Sequence, residues 1–440
     1  MGQPHAPLSA SDVAGLLDSP AGAYLHVPFC ARICPFCPYN KVVPRADQPQ
    51  RYFAALAREI EAYVSAGAAG ADGFTSLYVG GGTPTLYPEL LARVVDLMPV
   101  SGERAIEVLP THATEEHLDA LRRMGFTAVS IGAQSFHDAV LHRLRRPHDA
   151  RVAHDAVRAA VGRFDLVDVD LIVDVELDDT LAGAFLADLE QCFILGADQV
   201  STYPLMRFGY TPFGQARHDR RREHEVLAAA TELAARHGYE RRSVWTFNRT
   251  DAATYTSITR RRFLGMGAGA SSFLGRDFLV NHFGVETYIA AVEDGTLPVA
   301  RWLRLGAVGG LAYDTFWQAY AGRISPAQLH ATYGAWALGL PPALAPLRAL
   351  GLLHREGAPG AGGSATYVLT PRGFDRYHDL ERAVTYRLIE PLWAQMLAEH
   401  EREGTSAGWV SPTSARRSLV WSAAARLLER DPVGAGASYR

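Results

Sequence analysis

Cys30, Cys34 and Cys37 fall within eight positions of the run YLHVPFCARICPFC, directly behind a short apolar segment. A C-x3-C-x2-C spacing brings three thiolates to one tight loop. That is one fewer than the four that normally hold a four-iron cluster. An open coordination position marks a catalytic metal centre rather than a structural one. The competing reading is a zinc ion completed by His26, although strand alternation alone would leave that histidine packed. The chain has only four cysteines in 440 residues, and three share this loop, which argues against a disulfide framework. The fourth, Cys192, follows Leu181, Phe185 and Leu189 at helical spacing and reads as a buried core thiol.

The surrounding composition is that of an ordinary globular protein, with 48% hydrophobic and 20% charged residues. A net charge of −4 gives no electrostatic footprint for nucleic acid. No apolar run approaches the ~18 residues of a membrane span, and residues 1–20 lack the basic and apolar regions of a signal peptide. A cytoplasmic protein with neither membrane nor nucleic-acid partner is expected.

Six β-like segments, near 23–29, 76–80, 105–109, 127–133, 166–173 and 198–205, are each followed by a helical pattern. RYFAALAREIEAYV aligns Phe53, Leu56, Ile60 and Tyr63. ATEEHLDALRRMG opens on Thr114 with two acids and closes on Gly125, as a capped helix should. Alternating strands and helices imply a parallel sheet. Six repeats fall short of the eight of a closed barrel, so the spacing predicts an α/β fold, a partial (β/α)6 TIM barrel over 21–300 after a 1–20 tail. Chemistry then belongs at the carboxyl ends of the strands, where the cysteines and glycines fall. A winged-helix-like lid is predicted over 301–400: Ser325-Pro326 starts a helix, PPALAPLRALGLLHRE forms another, and a Gly/Ala-rich hairpin at 357–365 leads into TYVLT. Helices are also expected at 380–400 and 414–430, with a linker at 401–413 and a tail at 431–440.

Over residues 22–300 these motifs resemble the radical S-adenosylmethionine (SAM) enzymes, in the subfamily of oxygen-independent coproporphyrinogen III oxidase. The resemblance rests on YLHVPFC-x3-C-x2-C, YVGGGTPT, AIEVLP, SIGAQSF, VDLI and LGMGAGASSF, in the family's order. It implies a [4Fe-4S] cluster on Cys30, Cys34 and Cys37 whose fourth iron is chelated by SAM. An electron from the cluster would cleave the sulfonium to a 5′-deoxyadenosyl radical, from potentials that reach about −700 mV. Tyr24, Gly81 and Glu107 would correspond to contacts with this first SAM. Gly82, Thr83, Gln134, Arg146 and Asp170 would correspond to contacts with a second, while Pro204 and Ser271 also align with family contacts.

The residue types suit those roles. Three glycines at a strand's end let backbone approach a ligand closely. Glu107 alternates with apolar Ile106 and Val108 and so faces away from them. Arg146 could clamp a carboxylate with two parallel bonds, although its setting in RLRRPH also fits a solvated basic turn. Phe29, Pro35 and Phe36 would keep water off the cluster. A reducing partner such as flavodoxin or ferredoxin is implied.

The sequence also departs from the family. Tyr39 stands where the porphyrin oxidases commonly carry a fourth cysteine. Asp174 replaces the glycine of a Gly-Leu-Pro loop, and NRTDAATYTSITRRRF lacks the heme motif of the related chaperones. These departures resemble class C radical SAM methyltransferases and cyclopropanases. Methyl or methylene transfer from the second SAM to an sp2 carbon of a natural-product substrate is therefore the first expectation. The alternative is coproporphyrinogen III decarboxylation or heme trafficking. A metal-sensing DNA-binding regulator is disfavoured, because the second helix of the wing module carries only Arg348 before its end, too few donors for phosphates and base edges. Tyr313, Trp317, Trp336 and Trp393 could help cover the barrel mouth, although each also suits plain packing.

Overall fold

A computed structural model describes residues 8–17, 19–173, 179–213, 220–251, 262–357 and 365–402. All six inferred strands form: β1 (Gly22–Val27), β2 (Leu77–Gly81), β3 (Arg104–Val108), β4 (Ala128–Gln134), β5 (Leu166–Val173) and β6 (Gln199–Pro204). They pair in parallel in chain order. The helices before and between them are α1 (Ala10–Gly15), α2 (Gln48–Ser65), α3 (Pro88–Asp96), α4 (Glu115–Arg123), α5 (Asp138–Arg143), α6 (Ala150–Ala160) and α7 (Asp179–Leu195), and α8 (Arg220–Arg236) follows β6. Thr114 caps α4 through the His117 N–H, as the sequence pattern required.

The sheet extends beyond the six strands. At one edge, β7 (Tyr239–Arg241) and β8 (Thr246–Arg249) add antiparallel to β6. At the other, β9 (Phe263–Met266) lies parallel to β1 and is continued by antiparallel β10 (Ser271–Leu274), β11 (Asp277–Asn281) and β12 (Val299–Arg304). The glycine-rich LGMGAGASSF is thus a further parallel strand, a turn, and the start of a returning strand. Twelve strands form one sheet with β12 and β7 at its ends, a partial barrel rather than a closed one.

The period of two along the strands sorts the two faces. Outward side chains, among them Leu25, Val79, Ile106, Val108, Val129, Val169 and Leu171, join the apolar stripes of the helices in one core. Each such aliphatic contributes about 1.5–3 kcal/mol on burial. Cys192 is fully buried there. Inward, Tyr78, Ala105, Ala128 and Leu166 pack with Tyr24 as an apolar floor. Two residues further along, the register sets Glu107, Ser130, Asp168 and Gln199 side by side, so polar groups lie above the floor.

The C-terminal region follows α9 (Val285–Glu293) and β12. It comprises α10 (Ala307–Tyr320), β13 (Arg323–Ile324), α11 (Pro326–Tyr333), α12 (Leu340–Ala349), β14 (Leu353–Glu356), β15 (Thr366–Leu369), α13 (Pro371–Val384) and α14 (Glu390–Arg402). Its sheet runs β13-β15-β14, one strand more than the expected two-stranded wing. The predicted helix through LLHRE stops early, because Gly351 at φ +70 ends α12 and Leu353–Glu356 pair with β15 instead. The helix expected at 380 begins at Pro371, capped by Thr370, and passes through a π-helical turn at Thr385–Ile389 into α14. The predicted helix 414–430 and tail 431–440 lie outside the described residues.

This region shares a core with the barrel. Leu227 of α8, Val244 and Trp245 pack with Tyr320, Leu329 and Phe374. Glu223 of α8 is fully buried between His378 and Arg382 of α13, at 2.8 Å from each. Among the described residues no helix is long and apolar enough to cross a membrane.

Candidate active site

The cysteine loop springs from the carboxyl end of β1. A bridge between Phe29 and Val42 closes its base, with Cys30 N–H donating to Val42 O at 2.9 Å and Val42 N–H to Pro28 O at 2.8 Å. The Asn40 amide ties the loop to the turns after β9 and β11 by donating to Ala268 O and Phe283 O. Lys41 reaches back beneath the loop and donates to Cys37 O at 2.6 Å and Tyr39 O at 3.0 Å.

His26 is not available as a metal ligand. Its Nε2 lies 2.9 Å from Asn40 O, which can only accept, so Nε2 carries the proton and Nδ1 accepts from Tyr24 Oη at 2.7 Å. Burial pushes its pKa down to about 4, holding the ring neutral in that tautomer. Among the described residues no three His, Cys, Asp or Glu side chains group as ligands of a single ion. The zinc reading therefore lacks its fourth ligand.

The three thiols suit a polynuclear group instead. They lie near enough to feel one another's charge, and burial pushes the Cys30 thiol up to about 12 and raises Cys37. Donors surround them. Thr83 Oγ1 donates to Cys30 Sγ at 3.7 Å, and Arg146 Nη1 to Cys34 Sγ at 3.4 Å. Hydrogen bonds to sulfur and burial are the levers that set a cluster's potential, so this donor set fits a [4Fe-4S] group on Cys30, Cys34 and Cys37. Phe36 packs beside this loop on Val140, Leu144 and Ile172. Phe29 turns the other way, edge-on to Tyr52 and Tyr87 in the outer core.

Glu107 faces inward, as its alternation required. Its carboxylate accepts from Tyr78 Oη at 2.5 Å and Gly81 N–H at 3.1 Å, and burial raises its pKa. Tyr24 stacks on Tyr78, with ring centroids 5.9 Å apart. The glycines also serve close approach within the protein itself. A Cβ on Gly80 would meet Glu107 at 2.7 Å, on Gly81 the His26 ring at 2.8 Å, and on Gly82 the Phe29 carbonyl at 2.6 Å. Gly81 also requires its φ of +120. The room left by the missing side chains is filled by the protein, which locks β2 against the cysteine loop.

Across the mouth, Asp170 accepts from Ser130 Oγ at 2.9 Å, and burial with the nearby Asp168 and Glu107 charges raises its pKa well above the usual carboxylate range. Asp168, two residues earlier on the same face, is raised to about 6 by burial despite bonds from Ser201 and Gln199. Arg146 is bound rather than solvated, since its Nη2 donates to Gly132 O at 2.6 Å. Gln134 sits at a register shift in β4 with φ +70, a sparsely populated conformation for a residue with a side chain. Asp188 of α7 holds the following turn by accepting from Ser135 Oγ, Phe136 N–H and His137. Pro204 ends β6 beside Val173. Ser271 starts β10, paired with Val280 of β11, and its backbone lies against Gly265, the register partner of Tyr24. Asp174 and most of NRTDAATYTSITRRRF lie outside the described residues.

The mouth is bordered by the C-terminal helices. Tyr386 Oη accepts from Arg207 N–H at 3.0 Å, and Glu390 accepts from Gly209 N–H at 2.5 Å. Trp393 lies 6.1 Å from both the Phe208 and Tyr39 rings, and Tyr39 itself is 51% exposed. Of the four aromatics proposed for a cover, Trp393 alone meets the cysteine loop in these contacts. Tyr313 lies tilted against Phe273, Trp317 joins the C-terminal core and Trp336 is exposed. Tyr78, Asp168, Asp188 and Lys41 were not singled out from the sequence. Asp168 was legible as the partner two positions before Asp170, and Lys41 as a residue of the cysteine loop.

The radical SAM superfamily profile matches residues 24–185, the span from Tyr24 through Asp170. The chain is 32% identical over 331 residues to the heme chaperone HemW of Mycobacterium tuberculosis, covering 69% of this chain and 82% of that one. It is 27% identical to the oxygen-independent coproporphyrinogen III oxidase of Pseudomonas aeruginosa, covering 64% and 68%. The structure of coproporphyrinogen III oxidase from Escherichia coli superposes with a TM-score of 0.69 over 86% of this chain and 92% of that one at 21% identity, which establishes a shared fold. The chain belongs to the radical SAM superfamily, in the group that holds HemW and the oxygen-independent coproporphyrinogen III oxidases.

Proposed function

We propose that this radical SAM enzyme acts on a tetrapyrrole of the porphyrinogen class, abstracting hydrogen from a side chain on the way to oxidative decarboxylation. The observation that carries the reading is the similarity to an oxygen-independent coproporphyrinogen III oxidase, 27% identical over 68% of its length, on a barrel whose polar mouth adjoins the cysteine loop. In this reading Cys30, Cys34 and Cys37 hold a [4Fe-4S] cluster. When bound, cluster and SAM supply an oxidising carbon-centred radical by reductive cleavage of the sulfonium. Tyr24, Gly81 and Glu107 border the SAM that meets the cluster; Thr83, Gln134, Arg146 and Asp170 border room for a second. Asp170 and Glu107 present inward carboxyl oxygens that already accept hydrogen bonds and suit hydroxyl and amino donors. The C-terminal helices exclude water from the mouth. The enzyme would work in the cytoplasm with a small flavodoxin- or ferredoxin-like reductant.

One observation favours a second reading. Tyr39, in place of the oxidases' extra cysteine, puts an exposed phenol beside Trp393 and suits a flat heteroaromatic acceptor of a one-carbon unit. Product analysis by mass spectrometry separates the two. Anaerobically reconstituted, dithionite-reduced protein is given SAM with coproporphyrinogen III or heteroaromatic acceptors. Carbon dioxide and deoxyadenosine formed with the porphyrinogen support decarboxylation. S-adenosylhomocysteine rising with an acceptor would replace it with methyl transfer, and heme binding without turnover would replace it with a carrier role.

A further inference from the structure

Of the 43 basic side chains in this protein, 42 are arginines and one is a lysine, Lys41. That lysine lies four residues after the last cysteine and is 2% exposed. A chain that uses arginine everywhere else places its single ammonium beneath the loop that carries the three thiols. The two cations are not interchangeable: an ammonium is a compact point charge, whereas a guanidinium is a wide planar fork. Lys41 Nζ donates to Cys37 O at 2.6 Å and to Tyr39 O at 3.0 Å, inside the space spanned by the loop. All three cysteines are near enough to act on its charge. Arg146 also brings a cation to the thiols, donating to Cys34 Sγ, but through a half-buried, spread-out group.

We propose that Lys41 is a positioning residue that fixes the charge of the cluster site, its buried ammonium holding the loop and stabilising the reduced cluster. The physical basis is simple. One-electron reduction adds a negative charge among the thiolates, and a fixed buried cation close by favours that charge where water cannot screen it. The role rests on the cluster reading above and concerns the cluster's potential, not the identity of the substrate.

The test is an EPR-monitored redox titration of reconstituted protein without substrate, comparing wild type with K41M and K41Q. Iron and sulfide content and thermal unfolding are measured on the same samples. The expected result is a full cluster in the variants but at least a tenfold lower ratio of reduced to oxidised cluster at the wild-type midpoint, a shift of about 59 mV to more negative potential. K41R, where it folds, should stay near the wild-type potential while losing stability, because it keeps the charge but not the shape. Should K41M fail to fold, K41Q, which keeps a donor for the carbonyls, carries the comparison. Variants that hold their cluster at an unchanged potential would overturn the charge role and leave Lys41 a tie for the loop. A wild-type protein that takes up no four-iron cluster would instead overturn the cluster reading, and this role with it.

Discussion

The cysteine loop and the α13–α14 segment border the same mouth, yet different forces hold them. The loop is fixed from several sides by buried polar bonds: His26 to Asn40, Asn40 to the turn after β9, Lys41 to two of the loop's carbonyls, and a backbone bridge at its base. The helical segment is anchored by buried polar groups at two points, Glu223 with His378 and Arg382 and Arg241 with Asp375, adds Phe374 and Tyr377 to the shared core, and meets the mouth through rings and two bonds to backbone N–H groups. The part that would hold the reactive metal is over-determined. The part that would face the substrate can be changed without disturbing it.

That contrast can be broken at several points. Cys34→Ala should abolish reductive SAM cleavage altogether and lower the iron bound per chain, while urea unfolding stays close to wild type. Glu223→Ala leaves a buried guanidinium and imidazole without their carboxylate and should cost about 3–5 kcal/mol in denaturant unfolding. Iron content after reconstitution should survive it, because the loop does not depend on that anchor. Joint loss of iron would show that the two regions fold as one.

A pH effect probes the same segment. Burial raises Glu381 of α13 to about 7, against an ordinary value near 4.5. The folded state therefore holds a proton that the unfolded chain releases. The group's contribution to stability is complete below about pH 4.5 and is lost as pH rises through 7. Glu381→Gln should flatten that decline by about 2 kcal/mol between pH 4.5 and 7.5, measured as the difference in unfolding free energy. An unchanged slope would mean that the carboxyl is solvated. Smaller effects are expected at the two faces of the mouth. Asp170→Asn should weaken SAM binding about tenfold, roughly one hydrogen bond, by equilibrium dialysis. Trp393→Ala should raise the substrate KM several-fold and leave substrate-free deoxyadenosine formation unchanged.

Legibility in the sequence followed the same divide. The six strands and their helices were readable because one face of each strand meets the helix layer, so Leu25-Val27, Ile106-Val108 and Val167-Val169-Leu171 print a period of two. Glu107 and Asp170 were readable as polar interruptions of that period. Positions whose roles come from distant partners were not. Asp188 gains its meaning only when α7 folds back on the turn after β4. The glycines at the end of β2 were readable as a place of close approach, but their packing against Glu107, His26 and Phe29 was not. LLHRE reads as helix until Gly351 turns the chain and β15 supplies a strand partner. Methyl transfer was inferred from local departures such as Tyr39, whereas the similarity across most of the chain is to proteins named for heme and coproporphyrinogen.

The most direct test of the central assignment is SAM cleavage itself. Anaerobically reconstituted protein is reduced with dithionite and incubated with SAM, and deoxyadenosine is quantified by mass spectrometry beside Cys34→Ala. Deoxyadenosine formed by the wild type and absent from the variant is the expected result. Intact SAM in both, from a protein carrying a full complement of iron and sulfide, would contradict the assignment.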